Sequence, residues 1–323
     1  MLNVTFNYVG HGDCILLEWK KEKGRGIGVI DCKAYGGQNP VVERLHALGC
    51  DAVDFILLSH PHHDHFSGLK EVFDYCLRHE VRIKHFYYTT FGGVPAYVKS
   101  IVLTQSEGDQ LADVFRAMNE LETRGQIDNR GLVNENTAPI SLAPRLEARF
   151  FAPMQRQIDN FIESLHTEDL NTRDSPSSNL LSTFITVGTE DWHVFLTSDI
   201  ERQALKGIGR GPLKGDEPQL VLGQVPHHGS IHNHYLAFWR SRKYENGTPL
   251  GISAGPNSHG HPAPETIKGL QELGFSVEVT GKGTESHFPE AERVLDIVSV
   301  KASRPRGKDL SYDINGAGVV TRV

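Results

Sequence analysis

Short apolar runs recur along the chain and predict strands and helices in alternation. Residues 4–9 alternate between apolar and polar, which is typical of a half-exposed strand, whereas residues 55–58 are continuously apolar, which favours a buried strand. Between them, residues 41–48 carry apolar side chains at helical spacing. Because no linker rich in Pro, Gly or Ser separates two halves, the pattern favours one continuous domain over residues 1–323.

The second half of the chain shows the clearer pattern. Helices are predicted at residues 201–208 and 264–273, and strands at 180–187, 192–197, 220–225, 250–253 and 275–279. The last residues, 309–323, are predicted to form a hairpin around Asn315-Gly316 that completes the second sheet. Residues 125–143 are polar and loop-like, and they belong to an insert around 91–178 that we expect to shape the mouth of a pocket.

Composition narrows the class of protein. With 38% hydrophobic and 23% charged residues, the chain has the composition of a soluble globular protein, and no run approaches the ~20 apolar residues of a membrane helix. Its first residues lack a secretion signal, and its four cysteines form no Cys-x-x-Cys pair, so we expect a cytoplasmic protein with reduced thiols. The net charge of −7 argues against a general nucleic-acid-binding surface, yet the part after residue 199 is slightly basic and could admit an anionic substrate.

The most informative stretch, residues 59–68, directly follows the buried strand and contains the pattern His-x-His-x-Asp-His. Three imidazoles and a carboxylate are costly to keep together unless they are solvated, hydrogen-bonded or bound to a cation. On a loop that leaves a strand, His60 and His62 can turn toward one divalent ion while Asp64 and His65 turn toward a second. The spacing therefore predicts a metal site.

This motif resembles the signature of the metallo-β-lactamase-fold hydrolases. The resemblance implies an α/β (α+β) protein, a four-layer αββα sandwich of two mixed β-sheets flanked by helices, with a one- or two-metal site at the edge that the sheets share. It also implies a bridging acid after a later strand and a distal imidazole, for which Asp199 and His228 are the candidates. The implied metal ligands are His60, His62, Asp64, His65, Asp199 and His228.

The chemistry expected of this set is hydrolysis by a metal-activated hydroxide. A carboxylate such as Asp199 can bridge two cations, and a water between them loses a proton near neutral pH. Asp64, besides its role as a ligand, is placed to hold that hydroxide and accept its proton. We expect one or two divalent ions, zinc first and manganese as the alternative.

Within that fold the chain resembles the soluble hydrolase domain of ComEC-type competence proteins, which act in DNA uptake. Four stretches carry this resemblance: residues 9–13, 60–68, 226–230 and 255–262. His261, at a turn before a predicted helix, is a candidate to protonate a leaving group or to bind an anion. The candidate substrate contacts are His11, Asp13, Asn179, His227 and Ser230.

The sequence departs from the family pattern in two places. Many members carry a His shortly before the strand that precedes the bridging acid, but residues 175–179 contain none. Either Asn179 is a weaker ligand or a substrate contact, or His166 reaches in from further back. The ion at His60 and His62 would then be held less firmly, which makes a single ion, or Mn²⁺ in place of Zn²⁺, plausible. Ser198 also stands where a Gly is common, a change of small expected effect.

Our leading functional hypothesis is a metal-dependent phosphodiesterase or nuclease that acts on a nucleotide or nucleic acid. The same hydroxide could attack a lactone, lactam or thioester, which is the alternative enzyme. A non-catalytic metal-dependent binding or sensor protein is the third reading. We expect a small-molecule or nucleic-acid phosphoester as substrate, no membrane and no obligate protein partner.

Overall fold

The computed structural model describes residues 1–89, 104–167, 178–214, 217–256, 259–281 and 309–323, and within them it does not describe the side chains of 164–167. The suggestion that His166 completes a metal position therefore lies outside the described residues. None of the helices within these ranges is both long and apolar enough to span a membrane.

Fifteen strands in the described ranges form two mixed sheets. In chain order they are β1 (Leu2–Phe6), β2 (Ile15–Lys20), β3 (Arg25–Ile30), β4 (Ala52–Leu58), β5 (Arg82–Tyr88), β6 (Ile127–Leu132), β7 (Ile140–Ala143), β8 (Leu146–Ala152), β9 (Phe184–Gly188), β10 (Trp192–Leu196), β11 (Gln219–Gln224), β12 (Pro249–Ile252), β13 (Ser276–Val279), β14 (Leu310–Ile314) and β15 (Val320–Arg322). The first sheet has the order β15-β14-β1-β2-β3-β4-β5-β6 and the second β13-β12-β11-β10-β9-β8-β7. In each sheet one end is antiparallel and the other parallel.

Helices cover the outer faces of the sheets. They are α1 (Pro40–Leu48), α2 (His63–Phe66), α3 (Leu69–His79), α4 (Gln105–Thr123), α5 (Gln155–Thr167), α6 (Arg202–Arg210), α7 (Leu236–Arg240) and α8 (Pro264–Glu272). The sequence explains their ends: Asn39 accepts hydrogen bonds from the first turn of α1, and Gly49 ends it in the left-handed conformation.

Three separate hydrophobic clusters show the layering. The first packs α1, α3 and α4 against the first sheet and includes Val41, Phe73 and Met118. The second fills the space between the sheets, and the third packs α6 to α8 on the second sheet around Trp239. Helix, sheet, sheet and helix therefore lie in four layers, which confirms the expected αββα sandwich of two mixed sheets.

Two local predictions were wrong. The segment 125–143 is not all loop, because it contains β6 and β7. β6 is an edge strand with largely exposed residues, so its sequence, Ile-Asp-Asn-Arg-Gly-Leu, lacks the apolar signal of a buried strand. The C-terminal hairpin forms, but β14 pairs with β1 and so completes the first sheet, not the second.

The topology brings the chemically informative segments to one edge. β3 and β4 are parallel neighbours in the first sheet, as are β10, β11 and β12 in the second. The loops that follow these strands carry, in turn, residues 31–33, 59–65, 197–199, 226–230 and, among the described residues of the last loop, 253–256 and 259–261. Carboxyl ends of parallel strands open on the same side, so both sheets deliver these residues to one place.

Candidate metal centre

The His-rich motif begins where β4 ends, and a buried acid anchors it. Ser59 donates to Asp31 through both its backbone N–H, at 2.7 Å, and its hydroxyl, at 2.6 Å. The other partner of Asp31 is His65, whose Nδ1 lies 2.7 Å from Oδ2. This bond fixes the ring so that its Nε2 points in the opposite direction, toward the cavity described below.

Asp199 lies at the centre of the site, in the loop directly after β10. Its carboxylate oxygens approach four imidazole nitrogens: the Nε2 atoms of His60 at 3.9 Å and of His65, His227 and His228 at 3.6 Å each. Ligand atoms about 2.0–2.1 Å from one zinc ion lie about 3.3 Å apart in a tetrahedron. The observed separations are only slightly wider, so small shifts would let an ion bridge them.

Asp64 faces the same space from α2. Its Oδ2 lies 3.4 Å from His228 Nε2 and 4.0 Å from His11 Nε2, and its Oδ1 lies 3.9 Å from His65 Nε2. The carboxylate is 26% exposed, in contrast to Asp199 at 3%. Asp64 therefore contacts both the buried imidazoles and the open cavity.

Unpartnered buried atoms test whether these residues fit a metal. Among the described residues, His65 Nε2, Asp199 Oδ1 and His228 Nε2 are buried and have no hydrogen-bond partner. Such atoms are costly unless something binds them, and neutral imidazole and carboxylate are the ligands that divalent transition metals accept. The residues fit one or two such ions.

The site divides into two ligand positions that share Asp199. We call Asp64, His65, Asp199 and His228 the inner position, because the last three are almost fully buried. At the outer position His60 Nε2 lies 3.0 Å from His62 Nδ1, while His62 Nε2 is hydrogen-bonded to Ser178. We use the name outer position for His60, His62, Asp199 and His227, because His60 and His227 each approach Asp199 and His62 contacts His60.

The buried carboxylates and imidazoles of the site shift one another's pKa values. Burial disfavours the charged forms, yet Asp199 and Asp64 outweigh it and raise the pKa of His228 to about 9. Burial alone would raise the pKa of Asp199, but the imidazoles of His228, His227 and His65 hold it well below its usual range. In the same way His65 and His228 keep the pKa of Asp64 low against the effect of burial. The carboxylates are therefore ionised and ready to bind a cation.

A cavity of about 430 Å³ opens over both positions. Its wall contains His11, His261, Asn179 and Lys33, and Lys33 is the lone Lys or Arg among its lining residues. A larger groove of about 1530 Å³ crosses the outer face of the first sheet near Arg44, but it contains none of the metal-binding groups found among the described residues. The smaller cavity is therefore the candidate active site.

The six metal ligands expected from the sequence all lie at this centre. His11, Asn179 and His227, which were expected as substrate contacts, also line the cavity, but His227 lies 3.6 Å from Asp199 and so could also act as a ligand. The side-chain amide of Asn179 contacts His227, with its Nδ2 3.2 Å from His227 Nδ1. Asn179 thus orients His227.

Three expectations fit the structure poorly. Asp13 is 1% exposed and lies behind the ligands, and Ser230 is buried in the turn that follows His227, so neither reaches the cavity surface. His261 lines the cavity, but burial and the nearby His227 lower its pKa. The neutral ring can hydrogen-bond a substrate oxygen but is poorly suited to protonate a leaving group.

Several supporting residues were missed by the sequence reasoning. Asp31 directly follows the apolar end of β3, and an acid at the end of a buried strand is a recognisable candidate for a site residue. Gln224 at the end of β11 donates to Asp13 and accepts from the backbone N–H groups of Thr197 and Ser198. The carbonyl of Ser253, 2.7 Å from His228 Nδ1, carried no signal, because a backbone group has no sequence signature.

Comparison with known proteins gives likenesses at the level of the fold. No family model matches the sequence, and no curated protein matches it. Among solved structures, the metallo-β-lactamase fold protein YhfI from Bacillus subtilis is 12% identical with a TM-score of 0.46, over 86% of this chain and 95% of that one. A diphosphatase from the PhnP family is 12% identical with a TM-score of 0.43, over 89% and 98%. CmlA, a diiron β-hydroxylase from Streptomyces venezuelae, is 12% identical with a TM-score of 0.41 over 86% of this chain and 52% of its own, so this chain spans about half the length of CmlA.

Proposed function

We propose that this chain is a metal-dependent hydrolase of phosphodiesters in nucleotides or nucleic acids. The observation that carries the proposal is the convergence of buried, unpartnered imidazole and carboxylate atoms on Asp199 at the floor of an open cavity. His60, His62, His227 and Asp199 would hold one ion, and Asp64, His65, His228 and Asp199 the other. Divalent ions bound there would acidify a water molecule and stabilise negative charge on the oxygens of the attacked group.

The chain's own residues supply the rest of the mechanism. Asp64 is ionised and partly exposed at the cavity floor, so it can hold the attacking water by a hydrogen bond and accept its proton. The second oxygen of this carboxylate stays within reach of His65, which limits its rotation. A fixed acceptor beside the substrate keeps the nucleophile aligned.

The cavity wall favours an anionic substrate. Lys33 offers a positive charge, and the neutral rings of His11 and His261 offer N–H donors. Donors of this kind would contact the non-bridging oxygens of a phosphodiester. The lining also contains Asp64, Glu107 and Asp199, whose negative charge bound divalent ions would offset. Together with the ComEC-like stretches in the sequence, this supports a phosphodiester over a neutral carbonyl substrate.

Turnover of an aryl phosphodiester tests the proposal. Purified protein stripped with a chelator and reloaded with Mn²⁺ or Zn²⁺ should cleave bis-p-nitrophenyl phosphate, and the Asp64→Ala variant should not. Asp74→Ala, which removes an exposed acid of α3, is the matched control and should retain full activity. A γ-lactone measured in parallel should be cleaved more slowly.

Two results would contradict the proposal. Full phosphodiesterase activity in the chelated protein would exclude the metal centre as its source. Faster turnover of the lactone than of the phosphodiester would transfer the proposal to carbonyl esters.

A further inference from the structure

Asp13 lies beneath the metal centre and has no role in the mechanism above. It is 1% exposed and lies two residues before the start of β2. Its backbone N–H donates to Asp64 O at 3.1 Å, and its carbonyl accepts from Lys33 N–H at 3.1 Å. The neighbouring Gly12 makes this approach possible, because a β-carbon there would lie 2.5 Å from Asp64 O. The backbone therefore holds Asp13 in a fixed place against the ligand motif.

One carboxylate oxygen of Asp13 is satisfied and the other is not. Oδ2 accepts a hydrogen bond from Gln224 Nε2 at 3.0 Å. Oδ1 is buried and has no hydrogen-bond partner among the described residues. Because an unpaired buried carboxylate oxygen is costly, its retention here calls for a cation.

Asp13 is not needed to hold the His65 ring in place. Asp13 Oδ2 lies 3.8 Å from His65 Nδ1, but Asp31 already binds that nitrogen at 2.7 Å. Lys33, the nearby cation, directs its amine to the carbonyl of His11. Neither neighbour satisfies the free oxygen.

The same place holds two other unpartnered ligands. One ligand atom from each of Asp13, Asp199 and His228 lies within 4.8 Å of the others, and all three residues are buried. Each of the three also has an atom without a hydrogen-bond partner, namely Asp13 Oδ1, Asp199 Oδ1 and His228 Nε2. Three buried residues that lie this close together, each with an unpartnered ligand atom, could together hold one cation.

We propose that Asp13 is an additional ligand of the ion at the inner position, and that it makes this position selective for Mn²⁺ relative to Zn²⁺. The inference rests on the proposed function, since it concerns the same metal centre. With Asp13 the inner position offers three carboxylates and two imidazoles. Five ligands rich in hard oxygen exceed the tetrahedral set that zinc prefers and suit a cation of higher coordination number, such as Mn²⁺.

Competitive metal binding tests the assignment. Dissociation constants of Mn²⁺ and Zn²⁺ for the chelator-stripped protein, measured by calorimetry and by competition with a metal indicator, give a selectivity ratio. Asp13→Asn keeps the size of the side chain but removes its charge, and it should shift that ratio toward Zn²⁺ by about tenfold or more.

Asp31→Asn is the matched control. Asp31 is also a buried acid next to His65, but its oxygens already accept bonds from Ser59 and His65. Its loss should weaken both metals together and leave the ratio unchanged. A wild-type crystal grown with Mn²⁺ provides a measurement that needs no variant, because the anomalous signal should place the ion within bonding distance of Asp13 Oδ1.

The outcomes separate the two proposals. If wild-type protein binds neither metal, the proposed function itself fails. If it binds metal but Asp13→Asn leaves the Mn²⁺/Zn²⁺ ratio unchanged, or the ion in the crystal lies out of reach of Asp13, only the assignment of Asp13 is overturned.

Discussion

The inner and outer positions of the candidate metal centre both include Asp199, but their imidazoles are held in different ways. At the inner position each imidazole is fixed from behind, His65 by Asp31 and His228 by the carbonyl of Ser253, and both rings are buried. At the outer position His62 contacts Ser178, and His227, which is 24% exposed, contacts Asn179. Both imidazoles of the inner position are therefore buried and held, whereas at the outer position His60 is buried but His62 and His227 lie nearer the solvent.

This difference bears on how firmly each position would hold an ion. The imidazole that the family pattern places before β9 is missing, and the nearest candidate to replace it is His227, on the loop after β11. A ligand held by an amide on a neighbouring loop is less preorganised than one held by a buried acid. We therefore expect the inner position to bind its ion more tightly than the outer one.

Removing the shared ligand should have the largest effect. Asp199→Asn takes the negative charge from both positions, so we expect neither ion to be retained after gel filtration and phosphodiesterase activity to fall below detection. Elemental analysis of the protein peak gives the metal content. Asp191→Asn, an exposed acid in the turn before β10, should retain metal and activity. Retention of one full equivalent of metal by Asp199→Asn would show that Asp199 is not shared.

Loss of His227 should affect one position only. We expect His227→Ala to weaken the outer ion by about 10–100-fold and to leave the affinity of the inner ion within error. Titration calorimetry with Mn²⁺ resolves the two events if their affinities differ. His232→Ala removes an exposed imidazole from the same loop and should change neither. Equal weakening of both ions would mean that the positions are not independent.

Asn179 should act through His227, with a smaller effect. Asn179→Ala releases Nδ1 of His227, so the outer ion should lose about tenfold in affinity. A double-mutant cycle checks the route, since Asn179→Ala should add nothing when His227 is already Ala. An undiminished effect in the double variant would make Asn179 a ligand or a substrate contact in its own right.

The sequence predicted the residues of the His-rich motif better than the buried acids around them, for a physical reason. His60, His62, Asp64 and His65 are close in sequence, and their spacing alone pointed to metal. Asp31 and Asp13 approach them from other loops, and no local pattern distinguishes a buried acid from an exposed one. Contacts set by tertiary structure leave no trace in a single stretch of sequence.

The same limit explains the errors in the fold. The strands with apolar cores were predicted to within a few residues, because burial on both faces dictates their composition. Edge strand β6 lacks that constraint and was missed. The hairpin of β14 and β15 was recognised from its Asn-Gly turn, but a turn does not specify which sheet the hairpin joins.

A buried histidine far from the metal centre provides the reference for what burial alone does. His193 on β10 is about as buried as His228. No carboxylate contributes to its pKa, and burial, with a smaller contribution from Arg242, lowers that pKa to about 3. A depressed pKa means that the folded state binds fewer protons than the unfolded state, so stability present above pH 6.5 is lost as the pH falls toward 3. Between pH 7 and pH 5 this should cost about 2 kcal/mol of unfolding free energy.

The variant His193→Phe isolates that contribution. It replaces one ring by another beside Phe195, so the fold should persist, and the drop in unfolding free energy between pH 7 and pH 5 should be about 2 kcal/mol smaller than in wild type. Urea melts at the two pH values give the difference, with His46→Gln on the exposed face of α1 as the control that should not alter it. An unchanged drop in His193→Phe would mean that the ring is solvated or paired on protonation. His193 would then no longer show the effect of burial alone, with which the raised pKa of His228 beside Asp199 and Asp64 is compared.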